Sequence, residues 1–348
     1  MITDSHLFKE INEQPAVIGR FLQEQNSTVK KLADAINAQE ISHVVIAGRG
    51  TSDNAGRYAK YLLGAHNGLT VALATPSLFT LYKQPPKFGN ALVLGISQSG
   101  QSPDIVSVLS EARKQGKLTA AITNEPNSPL AAEADFVIDL CAGDEFAVAA
   151  TKTYTSELAA VALLSCHLAN DSAKLEMLHQ LSDAMEQTFA LAETVSTYAP
   201  RFRYMEHCVV IGRGFNYGTA FEIALKMKEL TYTIVEPYSS ADFLHGPLAM
   251  IQNGFPAILV APSGMLTDDF KEFATKLNER GAETIIISDD AEMLELARIP
   301  LRLPAALPEW LSPFTAILPG QLLALYLADA RDYDVDEPRN IKKVTETV

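Results

Sequence analysis

The chain has 348 residues, 47% of them apolar, and a formal net charge of −14. That length suits two domains with substantial cores, and the acidity leaves no basic stripe for nucleic acid or for an anionic membrane surface. Any phosphorylated ligand must therefore be held by local groups against the global field.

Three scattered cysteines, Cys141, Cys166 and Cys208, form no metal or disulfide spacing and fit a reducing cytoplasm. The polar N-terminus lacks a signal-peptide core. No apolar run reaches the roughly 18 residues of a membrane span.

In chain order, residues 7–36 read as a helix with Ile11, Ala16, Ile18, Leu22 and Leu32 on its apolar positions. Residues 43–47 read as a strand ending in Gly48-Arg49-Gly50, with a helix beginning near Asp53. A buried strand over 91–96 feeds the loop Ser97-Gln98-Ser99-Gly100-Gln101-Ser102, and a helical pattern leaves it. Strands over 119–123 and 136–140 follow, then an apolar helix after 145–153 and a helix over 173–199.

From 207 the order restarts. Gly212-Arg213-Gly214 lies 164 positions after the first GRG, Ser263-Gly264 lies 164 after Ser99-Gly100, and the strand at 284–288 lies 165 after that at 119–123. Gly116 and Gly281 stop corresponding helices. Strands alternating with helices in both halves predict an α/β fold of two tandem, doubly wound parallel sheets with helices on both faces. The expected organisation is an N-terminal helical segment 1–38, domains 39–170 and 171–330, and a tail 331–348.

The loop at 97–102 sits where a strand turns into a helix, so N–H groups, hydroxyls and the helix dipole converge on one spot suited to phosphate. Ser102 fits the N-cap, Pro103 the first turn and Asp104 the dipole; capping leaves Ser97 and Ser99 without a purpose. The second half has Ala261-Pro262-Ser263-Gly264 instead, with fewer hydroxyls and one N–H fewer. One phosphate site, in the first half, is expected.

Thr51 and Ser52 suit either a second part of the ligand or a helix cap. Lys152 reads best as a surface charge. Glu222, Lys226 and Glu229 share one face of a helix over 219–231. They form either a solvated stripe or, on a helix that follows GRG at the ligand edge, a carboxylate and a lysine for proton transfer. His245, in a His-Gly-Pro loop, suits either structure or proton movement. Lys342 and Lys343 suit either ordinary tail charge or, for one of them, contact with a carbonyl ligand.

The motifs GRGTS, ISQSGQS, EFAVAATKT, EIALKMKE, HGPLAMI and DVDEPRNIKKVT, in that order, resemble the sugar isomerase (SIS) family, and more closely the isomerase half of glucosamine-6-phosphate synthases. The resemblance covers nearly the whole chain. It implies Ser97, Gln98, Ser99 and Ser102 as ligands of the sugar phosphate. Thr51, Ser52, Ala150 and the backbone around Val148 would surround the sugar.

The same resemblance implies Glu229 as the base moving a proton between carbons 1 and 2, and Lys226 as its electrostatic support. His245, given across a homodimer interface, would open the ring, and Lys343 would be the imine-forming tail lysine. No cofactor and no metal are implied. Ala150 and Gln101 depart from the serine and glutamate usual there.

The synthases begin with a glutaminase domain, which this sequence lacks. The expectation is a cytoplasmic glucosamine-6-phosphate deaminase releasing fructose 6-phosphate and ammonia. The alternatives are another aldose–ketose phosphosugar isomerase, a deglycase or, in a different class, a non-catalytic sugar-phosphate sensor.

Overall fold

The computed structural model describes residues 2–304 and 307–343; the end of the expected tail, 344–348, lies outside the described residues. Two five-stranded sheets organise the chain. The first contains β1 (His43–Ala47), β2 (Thr70–Leu73), β3 (Ala91–Ile96), β4 (Leu118–Thr123) and β5 (Phe136–Asp139), in the order β2-β1-β3-β4-β5. The second contains β6 (His207–Ile211), β7 (Ile234–Tyr238), β8 (Pro256–Val260), β9 (Glu283–Ser288) and β10 (Ile299–Arg302), in the order β7-β6-β8-β9-β10.

Every pairing is parallel. Matching β1 to β6, β2 to β7 and so on makes the two orders identical, as the repeat predicts. Central strands such as Ala91–Ile96 are buried at every residue, the mark of a sheet covered on both faces.

The chain divides into two compact units. Of the described residues, one comprises 2–12, 146–149, 183–304 and 307–341 and holds the second sheet; the other comprises 13–145, 150–182 and 342–343 and holds the first.

The structure corrects several expectations. The helix expected over 173–199 is broken into helices Ser172–His179, Leu181–Thr188 and Ala192–Tyr198, with a 3-10 turn at Phe189–Leu191. Of its larger apolar side chains Leu178, Leu181, Met185 and Val195 are the fully buried ones, too few to hold one straight face.

Strands β2, β7 and β10 are additions to the sequence pattern. They are short edge strands, half exposed, and β7 and β10 carry a proline, which an edge tolerates. A buried helix, Ser312–Ala330, is a further addition. Its Gly320 lets it approach the Tyr217–Thr231 helix, where an added Cβ would lie 2.3 Å from Ile223.

Candidate active site

The 97–102 loop leaves β3 and enters the helix Pro103–Lys114. Ser97 is buried, and its hydroxyl accepts from the Gly100 N–H at 3.1 Å. Ser99 accepts from the Gln101 N–H at 3.3 Å. The Gln98 carbonyl accepts from the Asn124 N–H at 3.0 Å and the Thr123 hydroxyl at 3.2 Å, fastening the loop to the end of β4. Gly100 has φ +60°, and a Cβ there would lie 2.0 Å from the Ser128 hydroxyl, so only glycine fits.

Ser102 occupies the N-cap position, but its hydroxyl makes no capping bond. Capping therefore leaves this side chain uncommitted, as it does Ser97 and Ser99.

In the same unit, the helix Thr51–Asn67 begins at Thr51, two residues before the expected start, with Gly50 at its N-cap. Ser52 does not cap that helix. It donates at 2.7 Å to Glu157, which is buried on the helix Lys152–Ala169.

The segment before that second helix is organised by Glu145. Its buried carboxylate accepts from the N–H groups of Thr151 (2.9 Å) and Thr153 (3.2 Å), the Thr153 hydroxyl (2.9 Å) and Lys343 Nζ (2.7 Å). Burial alone would raise this carboxyl. The Lys343 charge and hydrogen bond, with the two N–H groups, outweigh burial and hold it below its ordinary value.

Lys343 is thus placed on the 145–153 segment, and Ala150, half-buried, precedes the clamped Thr151. Lys152 is not a surface charge. It is 3% exposed and bonded at 2.6 Å to both Glu13 and the Asp144 carbonyl.

The other unit holds the second group of candidates. Lys226 is buried, with Nζ 2.5 Å from Glu229 and 3.5 Å from Glu222; Glu222 is buried too, while the Glu229 side chain keeps 23% exposure. The solvated-stripe reading fails for this trio, because a lysine is desolvated only where carboxylates compensate it.

Lys226 and Glu229 lie in the C-terminal half of the Tyr217–Thr231 helix, which runs back along the sheet toward the start of β7. They sit near the amino ends of the strands of the second sheet. The expected route to function, through the ligand edge after GRG, does not apply to them.

His245 is exposed at the end of the short helix Ser240–Leu244, followed by Gly246 at φ +136°. Val148 is half-buried, and its N–H is already given to the Asp336 carbonyl at 3.1 Å.

The second-half counterpart of the loop 97–102 is filled by the chain's own carboxylates. Asp289 accepts from the Ser263 N–H at 2.7 Å and its hydroxyl at 2.5 Å. Glu309 accepts from the Met265 N–H at 3.0 Å, and a Cβ at Gly264 would lie 2.6 Å from its carboxylate. At the position corresponding to Asp289 the first half has a neutral residue, Asn124, whose side chain is turned to the Gly143 carbonyl and the Ala142 N–H.

Sequence reasoning missed Glu145, Glu157 and the arginine of the first GRG. The last donates from Nε to a buried Asp104 at 2.7 Å. An arginine enclosed by two glycines was the available signal.

Burial pushes the thiols of Cys141, Cys166 and Cys208 up to about 12, so none is a thiolate nucleophile at neutral pH. Among the described residues no His, Cys, Asp or Glu cluster could hold a metal, and no helix is long and apolar enough to cross a membrane.

Residues 39–165 and 202–329 each match the family model of the SIS domain. The glutamine–fructose-6-phosphate aminotransferase (isomerizing) of Legionella pneumophila strain Paris is 34% identical over 350 residues, covering 97% of this chain and 57% of that protein. The chain therefore spans little more than half the length of the curated relatives it matches.

The solved C-terminal domain of glucosamine-fructose-6-phosphate aminotransferase from Francisella tularensis superposes with a TM-score of 0.88 at 29% identity, covering 96% of this chain and 98% of that one. The glucosamine-6-phosphate deaminase of Thermotoga maritima shares the fold, with a TM-score of 0.82 at 22% identity over 99% of this chain and all of that one.

Proposed function

Because this chain belongs to the SIS-domain family, we propose that it is a phosphosugar-processing enzyme, and that its reaction is the deamination of glucosamine 6-phosphate to fructose 6-phosphate and ammonia. The observation that carries the proposal is Lys226, buried between Glu222 and Glu229 with the Glu229 side chain alone partly accessible. Desolvating a lysine and two carboxylates together is costly. The arrangement suits one accessible carboxylate that must gain and lose a proton beside a fixed cation.

The loop 97–102 anchors the phosphate, with Ser97, Gln98, Ser99 and Ser102 as its ligands. Thr51, Ser52, Ala150 and the Val148 backbone surround the sugar. His245, from a second copy of the chain, assists ring opening to the aldehyde.

Glu229 takes the proton from carbon 2 and returns it at carbon 1, while a proton passes from the amine nitrogen to the carbon-1 oxygen, so the amino aldehyde becomes a ketose imine with a carbon-1 hydroxyl. Lys226 stabilises the charge that develops. Water adds to the imine carbon, the carbon–nitrogen bond breaks, and ammonia leaves with fructose 6-phosphate. This direction needs no co-reactant but water. For Lys343 to form an imine with the ketose it must first leave Glu145 and give up a proton, so the same contact that positions it also holds it in reserve.

The test is a coupled assay that reads ammonia and fructose 6-phosphate together, run on glucosamine 6-phosphate and on a panel of non-amino phosphosugars. Equimolar release of both products from the amino sugar is expected. Glu229→Gln should lower kcat by about 10²–10⁴-fold, the usual worth of a general base, while the variant still binds substrate. Turnover confined to non-amino aldose and ketose phosphates would replace deamination by isomerisation. Phosphosugar binding without turnover of any kind would leave a sensor.

A further inference from the structure

The arginine in the first GRG is absorbed neither by the fold nor by the reaction. Its backbone is pinned. A Cβ on Gly48 would lie 2.9 Å from the Ser52 carbonyl carbon, Gly50 has φ +52°, and the Arg49 carbonyl accepts from the Ser52 N–H at 3.0 Å.

Its side chain reaches 55 positions along the sequence to Asp104 and donates through Nε at 2.7 Å. Asp104 is wholly buried in the first turn of the helix that the 97–102 loop enters, and its other oxygen accepts from the Ile105 N–H at 2.9 Å. The Arg49 side chain is 53% exposed. Among the described residues only Nε is engaged, which leaves the Nη donors for another acceptor.

Asp104 is the one charged side chain between residues 97 and 110. A dianion on this loop would face a buried carboxylate unless a cation stood between them. With a net charge of −14 the distant field also repels a phosphate, so the attraction must be local.

Three other cations of this unit already have carboxylate partners. Lys152 is paired with Glu13, Lys343 with Glu145 and Arg57 with Asp53. The counterpart in the second half differs. Arg213 meets Asp269 only at 3.4 Å, through Nη1, with both partners exposed, and there the loop is closed by Asp289 and Glu309.

We propose that Arg49 is the cation of the phosphate site. Its Nη groups bind the sugar's phosphate monoester, while Asp104, a positioning residue, holds the guanidinium from behind through Nε. The fork of an arginine suits this double engagement, and a lysine could not supply it. The inference rests on the reading of 97–102 as the phosphate loop.

The experiment measures calorimetric binding of inorganic phosphate, together with steady-state kinetics on glucosamine 6-phosphate, for wild type, R49Q, D104N and the S97A/S99A pair. R49Q is expected to weaken phosphate binding and raise KM by at least about tenfold with kcat little changed. D104N should weaken binding too, although it removes a negative charge from beside the anion. Simple charge repulsion predicts the opposite sign.

Unchanged phosphate binding in R49Q overturns the role of Arg49, and tighter binding in D104N overturns that of Asp104. Should R49Q not fold, R49M, which keeps the apolar stem, takes its place with the same two outcomes. If S97A/S99A also binds phosphate like wild type, the loop reading itself fails. If that pair loses binding and R49Q does not, only the role of Arg49 falls.

Discussion

Glu145 shows what a single residue can carry. Its carboxylate caps the N-terminus of the Lys152–Ala169 helix from outside and pairs with a lysine 198 positions away. Because the folded carboxyl is held below its ordinary value of 4.5, protonation favours the unfolded chain. The stabilisation is complete above about pH 4.5 and is lost as the pH falls through the folded value. Thermal unfolding of wild type and Glu145→Gln should therefore differ most near pH 7, and the gap should close as the pH drops below 4.5. A gap that stays constant across that window would show that the charge on Glu145 contributes nothing. Glu222 and Lys226 make the same point in the other unit: the pattern on the helix set their shared face, and burial changed what that face is for.

At the scale of the element, the loop 97–102, proposed to hold the phosphate, depends on a backbone that only one residue type can adopt. Gly100 combines a left-handed φ with a position against Ser128 that no Cβ can enter. Gly100→Ala must move either the loop or the short helix that Ser128 caps, and it should cost about 1–3 kcal/mol from backbone strain alone. The expected outcome is a lower melting temperature together with lost phosphate binding, read by scanning calorimetry and titration. Normal phosphate affinity in that variant would mean the loop does not need this conformation. The corresponding element in the second half has kept the strand-to-helix turn, but its donors are satisfied from within by Asp289 and Glu309.

At the scale of the whole molecule, that asymmetry predicts a stoichiometry. Two sheets of one topology present two equivalent turns, yet only the first has unfilled donors. Titration with inorganic phosphate should saturate at one site per chain, and S97A/S99A should reduce it to none. Two sites in the wild type would mean that phosphate displaces the two carboxylates.

The sequence by itself determined the repeat, and through it two parallel sheets of one strand order. Alternating buried strands and helices are a local pattern and survive without knowledge of contacts. It also determined that Ser97, Ser99 and Ser102 form one loop and that Glu222, Lys226 and Glu229 share a helix face, since both follow from spacing. Tertiary structure alone decided the rest. Edge strands β2, β7 and β10 owe their existence to a neighbour, because four or five half-exposed residues carry too little periodicity. Lys152 reads as a surface charge until Glu13 and Asp144 enclose it. Arg49 has meaning only with Asp104, and Ser263 is closed only by a residue 26 positions on. Charge and hydrogen-bond partners chosen across such separations leave no periodic trace in the chain, and they determine which of two similar turns is closed by the chain's own carboxylates.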